Sequence, residues 1–211
     1  MKTTFKFFSS MAPAILAIAA LLISAPAKGD IVLSIESVTG APGSTGMFDV
    51  LLTNTGPSSQ NITAFNFELT TIDTNITFTD VTTATTTATY IFPDSFFGPD
   101  ITTFAIDQSV EAGDVEGTFT GTDVAAGATY GLGNVSYSID PGALNGEVAE
   151  IDFTAFPATS LTDSDGNDVA FTSQSGFITV QTAAVPEPSA ALPLAGAVLF
   201  GGLLIRQRRR Q

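Results

Sequence analysis

From Ile31 to Val180 apolar and polar residues alternate with a period of two, and no stretch of this region carries a helical repeat. Phe48, Val50 and Leu52 fall on one face of an extended segment, and Phe65, Phe67 and Leu69 on one face of another. The same alternation marks Ile31–Val38, Ile76–Val81, Ile101–Ile106, Val135-Tyr137-Ile139, Ile151-Phe153 and Phe177–Val180. Turn-forming clusters separate these runs: Gly40-Ala41-Pro42-Gly43, Asn54-Thr55-Gly56-Pro57, Phe97-Gly98-Pro99-Asp100, Asp140-Pro141-Gly142 and Asp165-Gly166-Asn167. The expected fold class is all-β, an antiparallel β-sandwich of eight or more short strands with jelly-roll or Greek-key connections. Thr82–Thr89 contains only Thr and Ala and reads either as a polar edge strand or as a flexible loop.

Composition restricts what can hold such a sandwich together. The chain has no Cys and no His. Disulfides, thiol nucleophiles, histidine bases, Ser-His-Asp triads and the commonest zinc sites are therefore excluded. All but Glu187 of the 21 Asp and Glu lie between Gly29 and Val185, where there is no Lys or Arg. An acidic body of this kind is kept soluble by self-repulsion and is a poor ligand for nucleic acid or anionic membranes. Its roughly 150 residues suffice for one hydrophobic core.

The two ends have a different character. Lys2 and Lys6 precede the apolar run Met11–Ile23, and Ala25 and Ala27 are the small residues a signal peptidase requires, so 1–27 reads as a cleavable secretory signal cut after Ala27. Residues 28–182 then form the sandwich domain and 183–211 a C-terminal signal. Pro186 and Pro188 keep Val185-Pro186-Glu187-Pro188 extended. Ser189–Ile205 carries no charge and as a helix extends roughly 25 Å, a short transmembrane span against a hydrocarbon core of roughly 30 Å. Arg206, Arg208, Arg209 and Arg210 make 206–211 a basic tail that stays cytoplasmic, which places the body across the inner membrane.

This order of Pro-Glu-Pro, apolar segment and basic end resembles the PEP-CTERM sorting signal of exported bacterial proteins. The resemblance implies recognition by an exosortase, a membrane-embedded cysteine protease-transpeptidase that removes the anchor, and delivery to the cell surface or extracellular matrix. The body resembles a divergent cohesin-like sandwich. The residues that carry this are Gly40–Gly46 leading into Met47–Leu52, Ile62–Leu69, and Leu161–Asp168 leading to Gly176–Val180. Modules of that kind bind other proteins or sit in cell-surface assemblies.

Few residues of the body suggest chemistry. Asp163, Asp165, Asn167 and Asp168 alternate oxygen ligands around Gly166, a pattern that suits either a Ca²⁺ loop or a β-turn built from turn-forming residues. No other cofactor is expected. Acid/base hydrolysis of glycans by two carboxylates is open in principle, although Trp is absent and there are only 3 Tyr. Phe96-Phe97, beside Pro93 and Pro99, is either an exposed contact patch or loop packing. Asn61, Asn75 and Asn134 begin Asn-X-Ser/Thr triplets, to which abundant Thr gives little weight.

The leading expectation is a non-enzymatic surface or matrix protein with a structural or adhesive role in the extracellular polymer layer. Its expected partners are signal peptidase, exosortase and extracellular polysaccharide or surface proteins, with nucleic acid excluded. A calcium-dependent carbohydrate- or protein-binding module and a secreted carboxylate-dependent glycan hydrolase are the alternatives.

Overall fold

The period-two pattern becomes a burial pattern. In β1 (Ile31–Ile35) every second residue is buried, and the fully buried Phe65, Phe67 and Leu69 alternate with half-buried neighbours. A computed structural model describes residues 30–98 and 101–182. The expected signal peptide with Ala25 and Ala27, the Val185–Pro188 segment, the expected transmembrane span and the four tail arginines lie outside the described residues.

Fourteen strands occur among the described residues. After β1 come β2 (Val38–Gly40), β3 (Thr45–Asn54), β4 (Gln60–Ile62), β5 (Ala64–Thr70), β6 (Ile76–Thr82) and β7 (Thr102–Ile106). The second half holds β8 (Ser109–Val115), β9 (Thr122–Val124), β10 (Thr129–Ile139), β11 (Val148–Phe153), β12 (Ser160–Thr162), β13 (Phe171–Gln174) and β14 (Gly176–Val180). The first sheet runs β13-β1-β3-β10-β6; the second runs β2-β14-β11-β5-β8-β7, with β12 also beside β5, and β4 and β9 form a separate ribbon. The expected all-β sandwich is present, with no helix among the described residues.

One core fills the space between the sheets. Phe48 meets Tyr137 with ring centroids 5.9 Å apart, and Phe65 stacks on Phe67 at 5.9 Å and on Phe92 at 5.7 Å. Burying a Phe completely contributes about 2–3 kcal/mol over leaving it exposed, so the aromatic layer is a principal source of stability in a chain without disulfides. At the bulge between Gly131 and Gly133 in β10, a Cβ on Gly133 would stand 2.7 Å from Val81 Cγ1 of the neighbouring strand β6, so the Val81 side chain fills the space that Gly133 leaves.

The sandwich is not antiparallel throughout, which corrects the expectation. β1 pairs in parallel with β13, and β2 in parallel with β14. The first and last segments of the body therefore run side by side, each beginning in the first sheet and ending in the second, and they close one side of the sandwich. Because they run the same way, Asp30 and Gln181 sit at opposite ends of a seam that ten extended residues make roughly 30 Å long.

Thr82–Thr89 is neither an edge strand nor a free loop. β6 ends at Thr82, and the segment after it folds back over the outer face of the first sheet. There it is fastened to Asp49, which is fully buried. Asp49 Oδ2 accepts hydrogen bonds from the Thr86 and Thr87 amides, both 2.6 Å, and from Thr86 Oγ1 at 3.2 Å. Asp49 Oδ1 accepts one from Asn134 Nδ2 at 2.7 Å. Beneath the strap, a Cβ on Gly131 would lie 2.5 Å from Thr85 Cγ2, so Gly131 gives the strap its clearance. Asn134, the third triplet asparagine, is thus a buried structural donor.

Candidate functional site

The last described residues are held in place. The Gln181 amide donates to Gly40 O at 2.8 Å, and the Thr182 amide donates to Asn145 Oδ1 at 2.8 Å. Gln181 and Thr182 are thereby tied to the edge of the sandwich where β2 and β14 end.

At the other end, near Asp30, the registers bring together the segments that follow β6, β8 and β12 and the β4/β9 ribbon. The chain after β8 makes a tight turn around Glu116. Thr118 donates to this carboxylate through its amide (3.1 Å) and hydroxyl (2.8 Å), and the amides of Thr120 (3.0 Å) and Gly121 (3.3 Å) also donate to it. Burial alone would raise the Glu116 pKa, but the Thr118 hydroxyl and amide and the Gly121 and Thr120 amides outweigh it and hold the carboxyl below its usual range. The turn is clasped to the preceding loop: the Gly117 amide donates to Asp94 O at 2.7 Å and the Phe96 amide to Val115 O at 2.9 Å.

The clasped loops present three phenylalanines to solvent. Phe96, Phe97 and Phe119 are 60%, 47% and 58% exposed, and their rings touch in series, Phe97 to Phe96 at 5.2 Å and Phe96 to Phe119 at 6.0 Å. The sequence left Phe96-Phe97 open between contact patch and loop packing, and the structure places both outside. Phe119 was missed by the sequence reading. Its signal was the Glu116-Gly117-Thr118-Phe119-Thr120-Gly121 string, in which an aromatic residue stands between two glycines of a turn.

The acidic string Asp163–Asp168 forms the turn after β12. Asp163 Oδ1 accepts the Asn167 amide at 2.8 Å and the Asp165 amide at 2.9 Å, and Asp163 Oδ2 accepts Asn167 Nδ2 at 3.3 Å. The Asn167 amide leads the contacts that hold the Asp163 carboxyl below its usual range. Asp168 pairs back to Thr162 through an isolated β-bridge. The four residues are thus brought together, and Asp163 spends both oxygens on the turn itself. Among the described residues there is no group of three or more His, Cys, Asp or Glu able to hold a metal. We expect Asp163→Ala to lower the urea midpoint equally in EDTA and in excess Ca²⁺; a deficit seen only with Ca²⁺ would establish the calcium loop.

Asn61 ties this turn to the phenylalanine end. Its Oδ1 accepts the Ser164 amide at 3.1 Å, and its Nδ2 donates to Asp123 Oδ1 at 3.0 Å and to Thr120 O at 3.2 Å. Asn75, the remaining triplet asparagine, donates to Glu147 Oε1 at 2.7 Å.

For carboxylate catalysis a general acid must hold its proton near neutral pH. Asp49, Glu116, Glu147 and Asp163 are instead held below their usual range. Their oxygens accept hydrogen bonds from amides and hydroxyls that build turns. Tyr90 donates to Asp114 Oδ2 at 2.6 Å, and burial together with that carboxylate pushes its phenol up, which keeps it protonated.

On the outer face of the second sheet Glu111 of β8 and Phe104 of β7 are exposed. Glu68 and Glu111 stand directly opposite each other on β5 and β8, and Glu111 also faces Phe104 of β7. Like charges in register cost stability, and each carboxylate takes a donor from the neighbouring strand: Glu68 Oε1 accepts from Ser109 Oγ and Glu111 Oε1 from Asn66 Nδ2, both at 3.1 Å. Glu111, Phe104 and Phe97 line a shallow groove of about 330 Å³ that continues to the phenylalanine end.

Residues 184–210 match the PEP-CTERM protein-sorting motif. The body is similar in fold to cohesins. The sixth cohesin of scaffoldin B from Acetivibrio cellulolyticus, solved with a Cel5 dockerin, is 20% identical with a TM-score of 0.56 over 72% of this chain and 99% of its own. The seventh ScaB type I cohesin of Pseudobacteroides cellulosolvens is 12% identical with a TM-score of 0.54 over 74% and 96%. A non-cellulosomal cohesin of the archaeon Archaeoglobus fulgidus is 12% identical with a TM-score of 0.53 over 72% and 92%. A comparison with curated protein sequences gave no match.

Proposed function

We propose that this chain is an exported, exosortase-sorted protein whose cohesin-like sandwich is a non-enzymatic protein-binding module of the cell surface or extracellular polymer layer. The observation that carries the reading is the sorting motif at 184–210. Residues 1–27 are then the secretory signal and 28–182 the displayed domain. In 183–211, Val185–Pro188 is the recognised element, 189–205 the temporary span, and Arg206, Arg208, Arg209 and Arg210 the cytoplasmic stop.

Two features support binding. The acidic and apolar outer face of the second sheet carries the opposed Glu68 and Glu111, whose cost a basic partner would offset. The cohesin of Acetivibrio cellulolyticus that shares this fold is seen with a protein partner, a dockerin. An adhesive role follows if the bound protein is itself part of the polymer layer.

Deleting 185–211 in a host that has an exosortase is expected to move the protein from the envelope and matrix fractions into the medium. In the same host without its exosortase, intact-mass measurement should find the uncleaved tail in the membrane fraction. Recovery of the full-length, unprocessed chain from the cytosol would overturn the reading.

A further inference from the structure

The phenylalanine end of the sandwich has the features of a built contact rather than of loop packing. Three rings in contact in series are about half exposed, which with roughly 200 Å² per Phe side chain leaves an apolar patch of roughly 300 Å². That is the size of the largest patch on an ordinary monomer and enough for the centre of an interface, not for the whole of one. The patch is also held rigid. Phe119 has φ 60, a left-handed conformation that a bulky residue avoids, and it stays there because four hydrogen-bond donors around it are bound to the Glu116 carboxylate. Ser95 adds a second brace, its Oγ accepting the Gly98 amide at 2.9 Å. A rigid platform loses little freedom when it binds.

Charge selects the occupant. Exposed Asp94, Glu111 and Asp123 stand on the segments that frame the rings, and between Gly29 and Val185 there is no Lys, Arg or His. A second copy of this body would bring acid against acid, and an anionic lipid surface would be repelled in the same way. What fits is an apolar segment carrying Lys and Arg at its margins. We propose that Phe96, Phe97 and Phe119 form the hot spot of a docking surface for a basic, apolar protein segment. This deepens the reading of a surface-displayed binding module by naming the surface and the partner chemistry.

The test uses the full chain in zwitterionic phosphatidylcholine nanodiscs, at physiological salt, with a fluorescent 14-residue peptide of alternating Leu and Lys blocks as probe. The expected result is saturable binding that weakens at least tenfold in the Phe96→Ser/Phe97→Ser/Phe119→Asn variant, with no fall in melting temperature, since Asn tolerates the left-handed turn. A Ser-Lys peptide of equal charge should bind at least tenfold more weakly than the Leu-Lys probe. Equal binding by the variant, or by the Ser-Lys peptide, would overturn the proposal in favour of non-specific charge attraction. Flotation of the wild-type chain, but not the variant, with added phosphatidylcholine vesicles would overturn it in favour of a membrane contact. A dimer lost in the variant on sedimentation would overturn it in favour of self-association. None of these outcomes depends on where the host places the protein, so failure here is distinct from failure of the sorting reading.

Discussion

Asp49→Ala is expected to lower the unfolding free energy by about 3–4 kcal/mol, read from urea denaturation at pH 7, because hydrogen bonds to a charged acceptor contribute about 1.5–3 kcal/mol and their loss strands buried donors. The carboxylate is fully buried, and it fastens the Thr86 and Thr87 amides and the Asn134 side chain to the outer face of the first sheet. Asp49→Asn should cost about half as much. Its oxygen can still accept the Thr86 and Thr87 amides, and Asn134 can turn its own oxygen toward the new amide. The two variants thus separate the loss of an acceptor from the loss of a charge. Burial alone would raise the Asp49 pKa, but Asn134 and the Thr87 and Thr86 groups more than offset it and the carboxyl lies below its usual range. A carboxyl depressed on folding stabilises fully above its unfolded pKa of about 4, and the contribution fades as pH falls through the folded value. The gap between wild type and Asp49→Ala should therefore be full at pH 6 and shrink below pH 4. A gap that widens on acidification would show that the strap is held by something else.

That anchor was invisible in the sequence for a physical reason. Thr82–Thr89 has no apolar periodicity, and its partner lies 37 residues away along the chain. A carboxylate in the middle of Phe48-Asp49-Val50 reads as a solvent-facing strand position until something is known to cover it. The strands built on large β-branched and aromatic residues were legible, since alternation there is the core itself. β8 was not, because its inward positions are Val110, Ala112 and Asp114, a small side chain and an acid in place of two hydrophobes. β13 was missed because Phe171-Thr172-Ser173-Gln174 is a polar edge. Of the candidate sites, the acidic turn at 163–168 was legible as a turn, because Asx and Gly preferences act locally. The three-ring patch was only two-thirds legible. Phe119 joins Phe96 and Phe97 through the clasp between two loops, and no local pattern records that contact.

The parallel seam was equally hidden, since nothing in Ile31–Gly40 names Phe171–Val180 as its neighbour, yet it rests on a single small residue. Gly176 sits where the last segment crosses from the first sheet to the second, and a Cβ there would lie 2.5 Å from Ile35 Cγ2 and 2.8 Å from Ile35 O. The oxygen belongs to the backbone of β1 and cannot rotate away. Gly176→Val is therefore expected to cost about 3 kcal/mol, the upper range for overpacking, because relief requires moving a strand that pairs on both sides. Gly166→Ala makes the contrast: its φ is 78 but nothing lies within 4 Å, so only the left-handed backbone penalty of about 1–2 kcal/mol applies. The seam also runs the length of the body, from the end that holds Gln181 to the end that holds the three phenylalanines. In Gly176→Val the last segment should become cleavable by added protease at Phe171–Val180 before the rest of the body. A variant whose seam resists protease as well as wild type does would mean that β14 is held mainly by β11 and that the parallel pairings contribute little.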